Sequence, residues 1–291
     1  MVLAGNQGTP GGLYVAMERF GVTAAAAVPT IWIQILDYMN ARHLRFSTLH
    51  KALTGGSHPP PELVVRMNDL GVDLIDAWGM TETSPLGIVR RYNAGDERGP
   101  APRAAQPIFG VQTRVVDEGG LPVRADGRTP GALQVRGNWV TASYFGSERT
   151  PSDAGWFTTG DLAVADPDNG LHVVDREKDL IKSGGEWISS PALEAVALRD
   201  ARVAEAAAIA VPHPRWGERP VLVAVRTDDG LCEQSVLDLY QGVGPRWWRP
   251  EKVVFVAELP RSSTGKILKG VLRATYEKVL DEDTAAVAVP K

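Results

Sequence analysis

The chain has 291 residues, a formal net charge of -4 and 44% hydrophobic residues, which is enough apolar material for a buried core and the wrong charge for non-specific nucleic-acid binding. Its single cysteine, Cys232, excludes an internal disulfide, belongs to no Cys/His cluster of metal-ligand spacing, and fits a reducing, cytoplasmic compartment. The opening residues lack the basic start and apolar core of a secretory signal, and the most apolar stretch, 22–36, is too short and too polar for a spanning helix. Any membrane contact is therefore expected to be peripheral.

Helical and strand patterns alternate over the first 90 residues. Residues 13–20 read as an amphipathic helix stopped by Gly21, 22–28 as a strand, 30–40 as a helix, and 51–54 as a short strand ending in Gly55-Gly56. A helix over 62–70 is closed by Gly71, and a strand over 72–75 leads into Trp78-Gly79-Met80. Strand-helix-strand order predicts parallel pairing in an α/β layer, with ligands at the carboxyl ends of the strands. From about residue 105 the texture changes. Alternating runs at 112–116 and 132–136, with turn signals between them, predict a β subdomain that continues through 155–175. A boundary is expected near 175–178, giving domains 1–175 and 176–291. The second should be a small α+β unit with helices at 191–198, 233–241 and 267–279 and strands at 206–211, 221–225 and 252–256.

Four segments carry chemistry. The first pairs Thr54-Gly55-Gly56-Ser57 with Asp76-Ala77-Trp78-Gly79-Met80-Thr81-Glu82-Thr83. Its glycines admit close backbone approach by a flat ligand, Trp78 offers a stacking face, Thr81 a hydroxyl for phosphate, and Glu82 a hard oxygen for Mg²⁺. The second, Gly155-Trp156-Phe157-Thr158-Thr159-Gly160-Asp161, offers a carboxylate for ribose hydroxyls. The third runs from Asp175-Arg176 through Lys178 to Lys182-Ser183-Gly184-Gly185-Glu186-Trp187-Ile188-Ser189 and packs charge into the expected junction. The fourth, Arg261-Ser262-Ser263-Thr264-Gly265-Lys266-Ile267-Leu268-Lys269, presents a lysine from a glycine turn ahead of a helix. Taken singly, each has an ordinary alternative: a glycine turn, a β-turn aspartate, a solvated linker, a surface lysine.

Taken together, in this order, the segments resemble the AMP-forming adenylating superfamily over almost the whole chain. The string from Lys182 to Ser189 resembles its medium- and long-chain fatty acyl-CoA synthetase branch. The resemblance implies the C-terminal part of a large α/β plus distorted β-barrel domain, followed by a small mobile α+β domain. It implies ATP, Mg²⁺ and coenzyme A, with a fatty acid activated as acyl-AMP and passed to the coenzyme A thiol. Carried over by position, Gly55, Gly56, Asp76, Ala77 and Trp78 frame the adenine, Ser57 and Gly79 belong to the same cofactor-binding set, Thr81 meets phosphate, and Glu82 holds Mg²⁺. Asp161 takes the ribose with Arg176 beside it. Lys178 is the hinge, and Lys178, Lys182 and Trp187 meet the adenylate on closure. Gly184-Gly185 guides coenzyme A, and Lys266 bridges carboxylate and α-phosphate. The acyl chain is expected near Val28-Pro29-Thr30-Ile31-Trp32, and His58 reads first as an ordinary loop histidine and second as an edge of this pocket.

Departures matter as much. The family's Ser/Thr/Gly-rich phosphate loop is expected upstream of residue 1. Gln7-Gly8-Thr9-Pro10-Gly11-Gly12 lacks its Ser/Thr run and lysine. Ala132 stands where the family has Glu, and Trp78 where Tyr or Phe is commoner. Three readings follow: a truncated acyl-CoA ligase, completed by an upstream polypeptide or paired as a homodimer; a non-catalytic remnant binding AMP or an acyl group; and an acyl-AMP ligase serving a carrier protein.

Overall fold

The computed structural model describes residues 1–3, 8–92, 105–146, 155–168, 170–262 and 265–281. Gln7, Ser263, Thr264 and the tail beyond Asp281 lie outside the described residues. The chain divides into two compact units, Met1–Thr159 with Ala163–His172, and Gly160–Leu162 with Val173–Lys291. Among the described residues no helix is long and apolar enough to cross a membrane.

The first unit opens with α1 (Pro10–Arg19), β1 (Ala24–Ala26), α2 (Pro29–Asn40), β2 (Lys51–Gly55), α3 (Pro61–Asp69) and β3 (Asp73–Trp78), then adds β4 (Ile88–Tyr92) and β5 (Gln106–Pro107). Each helix begins on a proline, whose fixed φ suits the first turn and whose missing N–H would have no partner there. The Thr9 hydroxyl caps α1 by accepting from Gly12 N at 3.1 Å. The sheet order is β1-β2-β3-β4-β5. β1, β2 and β3 pair in parallel as the strand-helix-strand pattern requires, whereas β4 runs antiparallel to β3, and β5 to β4. On α2, Trp32, Ile35, Leu36 and Met39 follow helical spacing and are buried with Leu63, Val64 and Met67 of α3. Each such side chain contributes roughly 1.5–3 kcal/mol.

A second sheet follows, with β6 (Val111–Val116), β7 (Pro130–Gly137), β8 (Phe157–Ala165) and β9 (Leu171–Arg176) in the order β6-β7-β8-β9. The division between units falls within β8 and β9.

The second unit contains β10 (Ile181–Ser183), β11 (Glu186–Ile188), α4 (Ser190–Ala197), β12 (Val203–His213), β13 (Gly217–Arg226), α5 (Glu233–Asp238), β14 (Lys252–Phe255) and α6 (Lys269–Thr275). Its sheet runs β11-β10-β13-β12, with β14 parallel to β13. β12 and β13 are buried on both faces. Ala206, Ala208, Leu222 and Ala224 enter one core, and Ala207, Ile209, Val211, Val221 and Val223 the other. This two-sided burial explains the unbroken apolar run at 206–211.

Three expectations need correction. The segment 181–188 is a β-hairpin, not only a charged junction. Gly184 (φ 62°) and Gly185 (φ 90°) form its two-residue turn, in the left-handed region that glycine adopts without strain. The helix expected over 267–279 begins only at Lys269, because Ile267 is spent in an antiparallel bridge to Arg261. The helix expected over 233–241 ends at Asp238.

Candidate adenylate site

In the first unit the predicted residues gather at the carboxyl ends of β2 and β3. Gly55 lies opposite Ala77, and a Cβ on Gly55 would come within 2.7 Å of the Ala77 carbonyl oxygen. Thr54 lies opposite Asp76, a buried carboxylate whose Oδ2 is 3.1 Å from His58 Nδ1. His58 thus sits against the framing carboxylate, beyond Gly56 and Ser57. The loop after Trp78 is held by the buried Thr83 hydroxyl, which accepts from Met80 N at 3.0 Å and lies 2.9 Å from the Pro85 carbonyl oxygen it can donate to. Gly79 permits this closure: a Cβ there would sit 1.9 Å from Pro85 O. The half-buried Trp78 ring lies against Gly87.

The 3-10 turn Thr81–Thr83 exposes Thr81 and leaves Glu82 half-buried. Glu82 Oε1 accepts from the Tyr144 hydroxyl at 2.8 Å, and the Glu82 carbonyl accepts from Thr141 N at 2.8 Å. The neighbouring carboxylate holds the Tyr144 phenol above its ordinary pKa. Among the described residues no three His, Cys, Asp or Glu side chains cluster as a metal cage. A lone carboxylate does fit Mg²⁺, which commonly uses one or two carboxylates together with substrate phosphates.

The expected acyl-chain segment fares differently. Val28 caps α2 and is exposed, but Trp32 is 1% exposed within the core, where its indole N–H donates to Leu53 O at 3.1 Å. Trp32 is a packing residue and lines no open surface of this unit. Ala132, the departure from Glu, lies in β7 opposite Val116.

In the second unit Asp161 is buried, with Arg176 Nε 3.4 Å from its Oδ1. Lys178 is exposed in the turn that follows, where Asp179 N and Leu180 N both donate to Arg176 O at 2.9 Å. Lys182 and Trp187 face each other across the β10–β11 hairpin, with the ammonium 5.0 Å from the indole centroid. At the hairpin turn, Gly184 N donates to Trp216 O at 2.8 Å. Lys266 is exposed on a loop closed by Ser262 N to Lys266 O at 2.8 Å, Lys266 N to Ser262 Oγ at 3.2 Å, and the Arg261 guanidinium to Gly265 O at 2.7 Å.

Sequence reasoning missed the polar network behind that loop. Lys269 Nζ is 2.7 Å from Glu194 Oε1, which also accepts from Ala208 N at 2.9 Å. The same ammonium donates to Ser190 Oγ at 2.6 Å, and Ser190 donates both its hydroxyl and its backbone N–H to Asp175 Oδ2 at 2.7 Å. One turn further along α6, Arg273 Nη1 is 2.7 Å from Asp179 Oδ1. The helix after Lys266 is therefore anchored to the segment containing Lys178. The signal available was a Glu four residues after Ser190, which reads as plain helix capping.

Comparison with known proteins shows what the chain is similar to. The AMP-binding enzyme family model matches residues 1–145, and the AMP-binding enzyme C-terminal domain model matches residues 192–266. A 3-methylmercaptopropionyl-CoA ligase of Ruegeria pomeroyi is 42% identical across 96% of this chain and 54% of its own length. A long-chain-fatty-acid–CoA ligase of Thermus thermophilus is 38% identical across 95% of this chain and 53% of its own length. The crystal structure of ATP-bound MatB from Rhodopseudomonas palustris superposes with a TM-score of 0.78 at 29% identity, covering 93% of this chain and 54% of that one. The chain thus spans about half the length of the relatives it matches. With both regions matched in order along the sequence, the chain belongs to the AMP-binding enzyme family, among relatives named as acid–CoA ligases.

Proposed function

We propose that this chain is the adenylate-handling part of an ATP-dependent ligase that activates a fatty acid as acyl-AMP and transfers the acyl group to coenzyme A. One observation carries the reading: Gly55, Asp76, Trp78, Thr81 and Glu82 meet at the ends of β2 and β3 in a chain 38% identical to a named fatty-acid ligase. In the first step a fatty carboxylate oxygen attacks the α-phosphorus and pyrophosphate leaves. In the second the coenzyme A sulfur attacks the acyl carbonyl carbon and AMP leaves. Trp78 stacks on the adenine and Asp76 lies at its edge. Thr81 donates to a phosphate oxygen, Asp161 accepts from the ribose hydroxyls beside Arg176, and Lys266 neutralises charge between carboxylate and phosphate. Mg²⁺, held by Glu82 and the phosphates, supplies further charge neutralisation when bound. Lys178 is the hinge of the second unit. Lys182 and Trp187 meet the adenylate after closure, and Gly184-Gly185 borders the coenzyme A path. In this reading, phosphate gripping is assigned to a complementing upstream half. The enzyme is cytoplasmic.

The test is acid-dependent pyrophosphate release from ATP and Mg²⁺, across straight-chain acids from short to long. The chain is assayed alone and with the upstream half of a related ligase. Release only in the complemented sample is the expected result, with acyl-CoA formed when coenzyme A is added. Acyl-AMP that accumulates and passes only to a carrier protein would replace coenzyme A as the acceptor. No release in either sample, despite binding of the two parts, would reject the catalytic reading in favour of a non-catalytic remnant.

A further inference from the structure

We infer that Tyr144 is a positioning residue that orients the Glu82 carboxylate toward a divalent cation. The inference rests on the reading of Glu82 as the cation ligand.

Glu82 is gripped twice by one short segment, since its carbonyl takes the Thr141 N–H and its Oε1 takes the Tyr144 hydroxyl, both at 2.8 Å. Thr141 Oγ1 in turn donates to Ser143 O at 3.0 Å, which shapes the stretch between the two contacts. The Tyr144 ring stands edge-on to Phe157, with centroids 6.3 Å apart at 62°, and Phe157 is only 4% exposed. A ring fixed on a buried neighbour thereby aims a donor at one carboxylate oxygen. The phenol fills one acceptor site of Oε1 and leaves Oε2 and the remaining lone pair for a hard cation. Tyr144 is 53% exposed, so its hydroxyl could have been satisfied by water, and burial gives no reason for it to choose Glu82. Groups hydrogen-bonded to a metal-ligating carboxylate fix its orientation, and losing one typically costs about 10- to 100-fold in metal affinity.

The experiment uses the 291-residue chain with ATP and Mn²⁺ as an octahedral, oxygen-seeking probe for Mg²⁺, and equilibrium dialysis against a fixed Mn²⁺–ATP concentration measures the Mn²⁺ retained by the protein above a protein-free blank. The unaltered chain, Tyr144→Phe and Glu82→Gln are titrated in parallel, with thermal melts as a folding control. The expected result is Mn²⁺ uptake by the unaltered chain, none by Glu82→Gln, and about tenfold or greater weakening in Tyr144→Phe at an unchanged melting temperature. Undiminished affinity in Tyr144→Phe beside loss in Glu82→Gln overturns the role of Tyr144 and leaves Glu82 standing. Undiminished affinity in Glu82→Gln, or no uptake by the unaltered chain, overturns the assignment of Glu82 and the inference with it.

Discussion

Lys266→Ala, in the chain complemented by an upstream half, is expected to slow acyl-AMP formation by about 10²- to 10³-fold, the usual cost of removing one aimed charged donor. The side chain is exposed and its loop is closed by backbone and Ser262 contacts, so the substitution leaves the fold's hydrogen bonds in place. The melting temperature should therefore hold. Thioester formation from supplied acyl-AMP should change far less, because the role proposed for Lys266, offsetting charge between carboxylate and α-phosphate, belongs to the first step. Pyrophosphate release and acyl-CoA formation, followed separately, check this. Equal loss of both steps would reject the assignment.

The second large effect is on stability. Lys269→Ala strands Glu194, which then keeps the Ala208 amide and loses the ammonium 2.7 Å away. Removing one partner of a buried pair costs about 3–5 kcal/mol, and the low end applies because the two side chains are still 14% and 18% exposed. For a unit of this size, about 3 kcal/mol corresponds to a fall of roughly 10 °C in the melting of the second unit. Burial already pushes the Glu194 carboxyl above its ordinary pKa, against the lowering pull of Lys269 and Ala208 N. Without Lys269 it rises further. A carboxyl raised in the folded state stabilises that state only while protonated. The deficit of the variant should therefore be smallest in acid and grow as pH rises through the raised pKa. Thermal melts across pH check both size and sign, and a deficit that is constant across pH would contradict the buried-pair account.

The legible parts of this protein were those where one local rule acts alone. Helical spacing revealed α2 and α3, and their order with β2 and β3 gave the parallel pairing. Pro10, Pro29 and Pro61 mark each helix start at its first turn, a signal that places the boundary one to three residues earlier than apolar periodicity does. β4 was not legible, because Arg90 and Arg91 interrupt its apolar run while the backbone pairs with β3 regardless. The β10–β11 hairpin hid behind its charges, although Gly184-Gly185 between Ser183 and Glu186 is the length and type of turn a hairpin uses. Motif order pointed to the residues around Trp78 and to Asp161. The contacts of Tyr144 and Lys269 escaped notice because their partners, Glu82 and Glu194, are more than 60 residues away in the chain, and no periodicity spans that distance.

The most direct test of the central claim is equilibrium binding of a non-hydrolysable acyl-AMP analogue to the 291-residue chain by titration calorimetry, alongside Trp78→Leu and Asp161→Asn variants whose melts confirm folding. The account predicts saturable binding by the unaltered chain. It predicts weakening by about tenfold or more when the stacking face of Trp78 is lost, and a comparable loss when Asp161 no longer presents a full carboxylate to the ribose. No binding by the unaltered chain, or binding indifferent to both substitutions, would contradict it.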